Sequence, residues 1–211
     1  MKDLKIKERI RKGTFAGLAL LAVTYLPTSC AKESSPNKAI NYLRLETDLI
    51  RHEGERLQVY DDKTGKALSS SITAEGNPTI GVGFNLNRED ARSRLKKAGL
   101  DYTQVYTGTK QITQEQSREW LKYDLAQAVK DARHYVGDEH FQQLNGEAKE
   151  IVINLAFNLG SARLGNFQKL KSALIARDYK TASAEMKDSN WYNQTGNRAK
   201  ELTERMNKLT D

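Results

Sequence analysis

The chain has one cysteine, Cys30, and three histidines, so two common kinds of site find little support in its sequence. A single cysteine cannot form an intramolecular disulfide, which excludes a disulfide-stapled scaffold. His52, His134 and His140 lack the spacing of metal ligands, and no second cysteine could complete a zinc site. The sequence also contains no nucleophile-elbow serine and no phosphate-binding loop. We therefore expect neither a metal nor another cofactor.

The positive charge of the chain is concentrated at its start. Of the formal net charge of +7, residues 1–12 carry +4, residues 13–30 carry none, and residues 31–211 hold the remaining +3. The part that can fold is only mildly basic, which suits an anionic polymer as partner and argues against a dedicated nucleic-acid binder. With 211 residues, the chain suits one domain, or two small lobes that share a helix.

The first 30 residues have the pattern of a targeting segment. A basic stretch is followed by an uncharged run, and then by P-T-S-C-A, which contains Cys30. This order resembles a bacterial lipoprotein with Cys30 as the lipidated residue, although Pro27 stands where such sites usually carry leucine. A plain signal peptide and an uncleaved membrane anchor remain open, because about 19 uncharged residues can just span a bilayer. Each interpretation exports the rest of the chain to the bacterial envelope, either into the periplasm or bound to the membrane.

The polar residues 31–38 contain proline and serine, so we interpret them as a linker to a domain at residues 39–211. Apolar spacing predicts that this domain begins with a helix ending at Gly54, with Glu53 in the last turn. A helix C-terminus favours a cation over a carboxylate, so the position of Glu53 indicates function rather than stability.

Two alternating stretches after this helix predict β-structure. In the first, Leu57 and Val59 alternate with polar residues. In the second, residues 79–84, the apolar side chains face a core and the other face carries only Thr79 and two glycines. Glycine on a strand face often marks a close approach, so a sugar ring could lie there.

The remainder of the domain is predicted to be helical. Thr113 and Gln116 form a possible capping box for a helix that runs to about Tyr135 and is long enough to bridge two lobes. Residues 147–159 are apolar nearly all round, which is typical of a helix buried in a bundle. Further helices are expected at residues 88–99, 167–176, 179–187 and 196–209.

Two runs far apart in the sequence carry the strongest functional signal. The first reads H-E-G-E-R-L-Q-V-Y-D-D and continues, after a polar insert, as P-T-I-G-V-G-F-N; the second reads W-Y-N-Q-T-G-N-R-A. At these residues the chain resembles the phage-type lysozymes, a family of glycosidases, over about residues 40–209. The resemblance implies an α+β fold that is mainly helical, in which a small β-hairpin or sheet lobe and a helical C-terminal lobe are joined by a long helix.

The resemblance also implies a muramidase, which hydrolyses the β-1,4 bond between N-acetylmuramic acid and N-acetylglucosamine in peptidoglycan. Such cleavage needs an acid for the leaving oxygen and a carboxylate acting at the anomeric carbon. By resemblance, Glu53 is the general acid, while Asp62 and Thr79 activate and orient water, so the anomeric configuration inverts. Asp61 remains the alternative to Asp62. Related bacteriocin-type lysozymes carry an Asp where Asn85 stands; an amide cannot act as a base, and Asn85 is assigned to substrate binding.

The second lobe contributes N-L-A-F-N-L-G, which resembles the family's cleft-lining helix and turns Phe157 and Asn158 toward substrate. A core position is the alternative for Phe157. Arg198 corresponds to an arginine that pairs with the catalytic Glu across the cleft, and such a cation favours the charged carboxylate. Leu170 and Glu185 differ in type from the family's contact residues at their positions, so they are assigned no role.

The chain departs from the family pattern in two further places. Sixteen residues lie between Asp62 and Thr79, where the family has a tighter turn. This insert could shape substrate choice or move the working carboxylate. Phe84 replaces the family's histidine, so the structural ion pair of that histidine is absent.

Two other functions remain open. A wall-binding module could keep the fold without catalysis, although such a module has no need of Glu53, Asp62 and Thr79 together. An exported antibacterial toxin with an immunity partner would share the chemistry and differ in biology. We expect a monomer in each case.

Overall fold

The computed structural model describes residues 38–210. The predicted signal segment at residues 1–30, including Cys30, and the predicted linker apart from Lys38 lie outside the described residues. Within residues 38–210, no helix combines the length and apolar character that crossing a membrane requires.

Ten helices and three strands make up this part of the chain. In chain order they are α1 (Tyr42–Glu53), β1 (Arg56–Asp61), β2 (Pro78–Gly81), β3 (Phe84–Asn85), α2 (Ala91–Lys97), α3 (Tyr102–Tyr106), α4 (Gln114–Val136), α5 (Asp138–Gln143), α6 (Gly146–Leu164), α7 (Gln168–Ile175), α8 (Tyr179–Lys187), α9 (Asn190–Thr195) and α10 (Asn197–Lys208). The strands form one antiparallel sheet in the order β1-β2-β3. The predicted α+β class is confirmed, with a small sheet lobe followed by a helical lobe.

The first helix ends where the sequence predicts. Asn41 caps its N-terminus by accepting a hydrogen bond from the backbone N–H of Arg44 at 3.0 Å. Gly54 ends it with a φ of +74°, a left-handed conformation that glycine adopts without a steric penalty. Glu53 is therefore the last helical residue, and its side chain leaves the helix at the start of the sheet.

The stretch 79–84 is a hairpin, and the prediction of one continuous strand was wrong. Ile80 pairs with Phe84, so the chain reverses direction across residues 81–83, the first of which ends β2. Gly81 and Gly83 have φ values of +64° and +71°, which side-chain-bearing residues rarely adopt. The alternating pattern survives because the paired Ile80 and Phe84 lie on the same face of the sheet.

The long helix α4 connects the two lobes. Its capping box is present: Gln116 N–H donates to Thr113 Oγ1 at 3.1 Å, and the Gln116 side chain accepts from Thr113 N–H at 2.9 Å. Trp120 belongs to the core beneath the sheet, whereas Leu121 and Leu125 belong to the core of the helical lobe. One helix thus contributes to both cores, and the predicted bridge is confirmed.

The helical lobe is built around α6. Every residue from Ala148 to Ala156 is buried, as the apolar sequence predicts. The helix continues past the predicted residue 159 to Leu164, with a local break at Gly160, whose φ is +71°. Leu49 of α1 is also fully buried in this core, so the helix that carries Glu53 is packed against the C-terminal lobe.

Shorter helices show where sequence patterns were weakest. The helix expected at residues 88–99 is confined to α2, and α7, α8 and α10 lie close to their expected positions. Three helices of five or six residues, α3, α5 and α9, were not predicted. Each is shorter than two helical turns, so its apolar residues cannot form a repeating pattern.

Phe84, at which the resemblance led us to expect the loss of a structural ion pair, is part of the core beneath the sheet. It is 1% exposed, and its ring centroid lies 5.0 Å from that of Trp120. Arg88 and Arg94 stack over Phe84 and both donate to Asp124, at 3.0 and 2.7 Å. Two arginines therefore hold this acidic side chain of α4 to the sheet lobe.

Candidate active site

Glu53 lies between the two lobes and is held from both sides. Arg198 Nη1 of α10 donates to its Oε1, and the Glu53 side chain is 23% exposed. On the sheet side, a methyl group at Gly83 would come within 3.3 Å of Glu53 Oε2. The carboxylate therefore occupies a restricted position that solvent can still reach.

Arg198 joins three helices at this point. It is 7% exposed, and besides Glu53 it donates from Nε to Asn154 Oδ1 at 2.8 Å and from Nη2 to the Asn154 carbonyl at 3.3 Å. Asn154 is itself buried in α6. The planar guanidinium thus fixes the end of α1 against α6 and α10, because its donors point in set directions.

Asp61 and Asp62 are adjacent but lie in opposite environments. Asp61 is 2% exposed and accepts at 3.0 Å from the backbone N–H groups of Lys63, Glu75 and Gly76, and from the Thr64 hydroxyl. Burial alone would raise the pKa of this carboxyl, but these hydrogen bonds outweigh it and hold the pKa below its usual range. Asp61 closes the insert and has few acceptor positions left for water.

The carboxylate of Asp62 is exposed and held by one residue. Asn77 donates to it twice, from its backbone N–H to Oδ1 at 2.6 Å and from its side-chain amide to Oδ2 at 3.0 Å. Gly76 makes this approach possible, since a methyl group there would collide with Asp62 Oδ1 and lie 2.8 Å from Asp61 Oδ1. Of the two carboxylates, Asp61 is buried and Asp62 is exposed.

Thr79 and Asn85 share one face of the sheet with Tyr60. Thr79 pairs with Tyr60 across β1 and β2 and with Asn85 across β2 and β3, and directly paired residues project to the same side. Thr79 is 4% exposed and its hydroxyl donates to the Asn77 carbonyl at 3.2 Å. Asn85 is half-buried, and its Oδ1 accepts from the backbone N–H of Asn87 at 2.8 Å.

The hydroxyl of Tyr60, on β1, has a raised pKa. Burial raises the pKa of its hydroxyl, and the negative charges of Glu53 and Asp62 act in the same direction, against the nearby Arg56. The Arg56 guanidinium stacks 4.3 Å from the Tyr60 ring centroid. The charges of both candidate carboxylates therefore act on one phenol.

The insert packs against the sheet lobe on the side of α3. Leu68 is 2% exposed in the core beneath the sheet, and its N–H donates to the Val59 carbonyl at 3.0 Å. A methyl group at Gly108 would collide with the Leu68 carbonyl. The first half of the insert is therefore a fixed part of this lobe, and its second half brings Asn77 to Asp62.

Phe157 and Asn158 lie at the end of the buried part of α6. Phe157 is half-buried against the helical core, so it is neither fully core nor free. Asn158 is exposed, and its Oδ1 accepts from Trp191 Nε1 at 2.8 Å. A groove of about 620 Å³ extends from Trp191 and includes Leu170 and Glu185, to which the sequence assigned no role. The groove reaches none of Glu53, Asp62 or Thr79.

Sequence reasoning missed two contributors to this site, Asn77 and Asn154, and interpreted a third, Gly83, as a place for a sugar ring. Asn77 and Asn154 contact Asp62 and Arg198, respectively, and Gly83 makes room for Glu53. Only Gly83 gave a signal, as a glycine in the P-T-I-G-V-G run. Among residues 38–210, no three His, Cys, Asp or Glu side chains are grouped as metal ligands would be.

Comparison with known proteins supplies independent evidence. Residues 50–208 match the sequence model of the phage lysozyme family. The chain is 31% identical over 160 residues to the pre-baseplate central spike protein Gp5 of Enterobacteria phage T4, a match that covers 74% of this chain and 26% of that protein. The chain therefore spans about a quarter of the length of this relative.

Two relatives of similar length come from Dictyostelium discoideum. The chain is 22% identical to probable T4-type lysozyme 2 and 26% identical to probable T4-type lysozyme 1, over 159 residues in both cases. Each match covers 72% of this chain and 87% of the relative.

Proposed function

Because the chain belongs to the phage lysozyme family of glycoside hydrolases, we propose that it is a muramidase that hydrolyses the β-1,4 bond between N-acetylmuramic acid and N-acetylglucosamine in peptidoglycan. The observation that carries the proposal is the pairing of Glu53 with Arg198 at the junction of the lobes. A solvated surface glutamate has no need of a buried arginine, and a restrained carboxylate between two lobes suits proton transfer to a bound polymer.

In the proposed reaction, Glu53 protonates the glycosidic oxygen as its bond to the anomeric carbon breaks. Water attacks that carbon from the opposite face, with Asp62 accepting a proton from the water and Thr79 orienting it. The water oxygen becomes the new anomeric hydroxyl, and the leaving sugar retains the proton from Glu53. Proton exchange with solvent then resets both carboxyl groups. No covalent sugar intermediate forms, and the products are two shorter glycan ends.

Substrate would cross from the sheet face to α6. Asn85 and Asn158 offer amide groups at the two sides, and Phe157 offers a half-buried ring surface. The similarity to two proteins named as probable T4-type lysozymes supports a peptidoglycan substrate. The mildly basic balance of residues 31–211 suits the same anionic polymer.

The test is incubation of the purified full chain with peptidoglycan, followed by mass spectrometry of the released fragments. We expect N-acetylmuramic acid reducing ends from the wild type and from Glu46→Gln, a matched change on α1, but not from Glu53→Gln. Binding to the polymer without release by the wild type would contradict the proposal and favour a wall-binding module. Proton NMR of fresh product should show the α anomer first, because inversion of a β bond gives α; the β anomer first would contradict inversion.

For the N-terminus we propose export to the envelope, with lipidation at Cys30. The support is the order of basic, uncharged and small residues in the sequence. Labelled palmitate should be incorporated by the wild type in bacteria and not by Cys30→Ser. Export without labelling would favour a plain signal peptide or an uncleaved anchor.

A further inference from the structure

One residue, Asn77, contacts both groups proposed to activate water. Its backbone N–H donates to Asp62 Oδ1 at 2.6 Å, and its side-chain amide donates to Asp62 Oδ2 at 3.0 Å. Its carbonyl accepts from the Thr79 hydroxyl at 3.2 Å and from the Asp62 backbone N–H at 3.0 Å. Four hydrogen bonds thus link Asn77 to Asp62 and Thr79.

We propose that Asn77 is a positioning residue for water activation, an inference that rests on the proposed muramidase reaction. Its backbone N–H and side-chain amide fix the orientation of the Asp62 carboxylate, and its backbone carbonyl sets the direction in which the Thr79 hydroxyl donates. Asn77 itself does not contact the reacting atoms.

The hydrogen bond from Thr79 to Asn77 determines whether the Thr79 hydroxyl can donate to water or only accept from it. A carbonyl oxygen can only accept, so the single hydroxyl proton of Thr79 is committed to Asn77. The remaining lone pairs of the hydroxyl can then only accept a hydrogen bond from water. A water that donates one proton to Thr79 and the other to Asp62 has its own lone pair free to attack the anomeric carbon. Asn77 therefore makes Thr79 an acceptor for the attacking water.

The two hydrogen bonds that Asn77 donates to the Asp62 carboxylate restrict the rotation of that side chain. An exposed aspartate on a loop is free to rotate about its side-chain bonds, and Asp62 is exposed. Two donors from one residue, one to each oxygen, hold the carboxylate plane in a single orientation. Each oxygen keeps a further lone pair, so the carboxylate can still take a proton from water. Such orientation matters because a displacement of about 1 Å can cost about a hundredfold in rate.

A turn-forming role for Asn77 predicts a different result from a positioning role. If the side chain only shapes the turn, Asn77→Asp should be tolerated, because aspartate has the same shape and is as common in turns. Under the positioning role Asn77→Asp is the more damaging change. It removes the amide donor and sets a second carboxylate against Asp62, so the two like charges repel each other and displace the Asp62 carboxylate.

The experiment compares kcat and KM on peptidoglycan fragments for the full chain and three variants. Substitutions at residue 77 keep its backbone N–H and carbonyl, so they test the contribution of the side-chain amide that donates to Asp62 Oδ2. We expect kcat to fall about tenfold in Asn77→Ala and about a hundredfold in Asn77→Asp, with KM changed less than about twofold. Glu75→Gln, a change in the same insert at an exposed side chain, should keep the wild-type kcat. Thermal unfolding of each variant shows whether it is folded, and Asn77→Ala serves if Asn77→Asp does not fold.

The measured kcat and KM values distinguish a positioning role of the Asn77 side chain from a turn-forming role and from substrate binding. A kcat for Asn77→Asp equal to or above that of Asn77→Ala would overturn the positioning role, as would wild-type kcat in both variants. A proportional rise in KM with unchanged kcat would instead assign Asn77 to substrate binding and also overturn it. An inactive wild type is a separate failure, because it removes the proposed function before any variant is compared.

Discussion

The backbone of Gly83 lies against the carboxylate of Glu53, although the two residues are thirty positions apart in the chain. Gly83 is in the left-handed region with a φ of +71°, and a methyl group there would approach Glu53 Oε2 to 3.3 Å. The position thus requires glycine for two independent reasons, one concerning its own backbone and one concerning the site. A substitution there should affect stability and activity by separate routes.

Gly83→Ala should therefore lower both the stability of the fold and the cleavage activity. The left-handed backbone costs about 1–2 kcal/mol for a residue with a side chain, and displacement of Glu53 should reduce kcat about tenfold or more. Gly99→Ala is the matched control, since Gly99 has a φ of +72° with nothing within 4 Å of an added methyl group. Urea unfolding should give similar losses for both variants, whereas only Gly83→Ala should lose activity. Equal kcat values would show that the contact with Glu53 is irrelevant.

Arg198→Ala should be among the most destabilising single changes near the site. It leaves the Glu53 carboxylate without its cation and Asn154 without two donated hydrogen bonds. We expect Arg198→Ala to lower the free energy of unfolding by about 2–4 kcal/mol. The loss is smaller than for a fully buried ion pair because Glu53 is partly exposed.

The measurement is urea unfolding of Arg198→Ala and Arg198→Lys beside the wild type. Lysine keeps the charge but cannot reproduce the three directions of the guanidinium, so it should recover only part of the loss. Unfolding free energies for both variants within error of the wild type would contradict a structural role for this arginine.

The fold was largely predictable because its elements carry local signals. The end of α1 at Gly54, the capping box of α4 and the apolar α6 all depend on residues within a few positions of one another. The hairpin at residues 79–84 was not predictable from alternation. The reversal across residues 81–83 returns the chain to the same face of the sheet, so the period of two continues across the turn.

The candidate site residues were assigned from a resemblance to a family, and the contacts around them were not predictable from the sequence. Nothing near Asp61 and Asp62 in the sequence shows which one is enclosed. That depends on backbone N–H groups of residues 75–77, which lie far along the insert. Asn77 was missed for the same reason, since its partner Asp62 is fifteen positions away.

Asp61→Asn and Asp62→Asn should have opposite effects. Asp61→Asn replaces one carboxylate oxygen that accepts hydrogen bonds with an amide NH2 group that can only donate, so it should lower the melting temperature at neutral pH. Asp62→Asn should leave the melting temperature nearly unchanged and abolish glycan cleavage, because an amide cannot take a proton from water. Thermal unfolding and fragment release measure the two effects.

The pH dependence of the Asp61 effect has a defined sign. The pKa of Asp61 is lowered in the folded chain, so its stabilising contribution is present above the ordinary carboxyl pKa of 3.8 and is lost as the pH falls through the lower folded value. The difference in melting temperature between wild type and Asp61→Asn should therefore shrink below about pH 4.

Loss of cleavage in Asp61→Asn with full activity in Asp62→Asn would reverse the roles assigned to the two carboxylates.

Glu201 should make the attachment of α1 to α10 sensitive to acid. Arg51 of α1 donates to both Glu201 oxygens at 2.7 Å, and His52 Nε2 lies 3.3 Å from Oε2. The hydrogen bonds from Arg51 lower the pKa of Glu201 from 4.5 to about 2 against the opposing effect of burial. Since a lowered carboxyl pKa stabilises the fold above the unfolded value, this contribution is complete above pH 4.5 and is lost as the pH falls toward 2.

Melting temperatures of wild type and Glu201→Gln test this between about pH 5 and pH 2. The wild type should be more stable at the upper end of that range, and the difference should close toward the lower end. Glu204→Gln, an exposed change on the same helix, should show no such closing difference. A gap that persists undiminished at the acid end would mean that Glu201 acts through its shape and not its charge, since only the charge is removed by protonation.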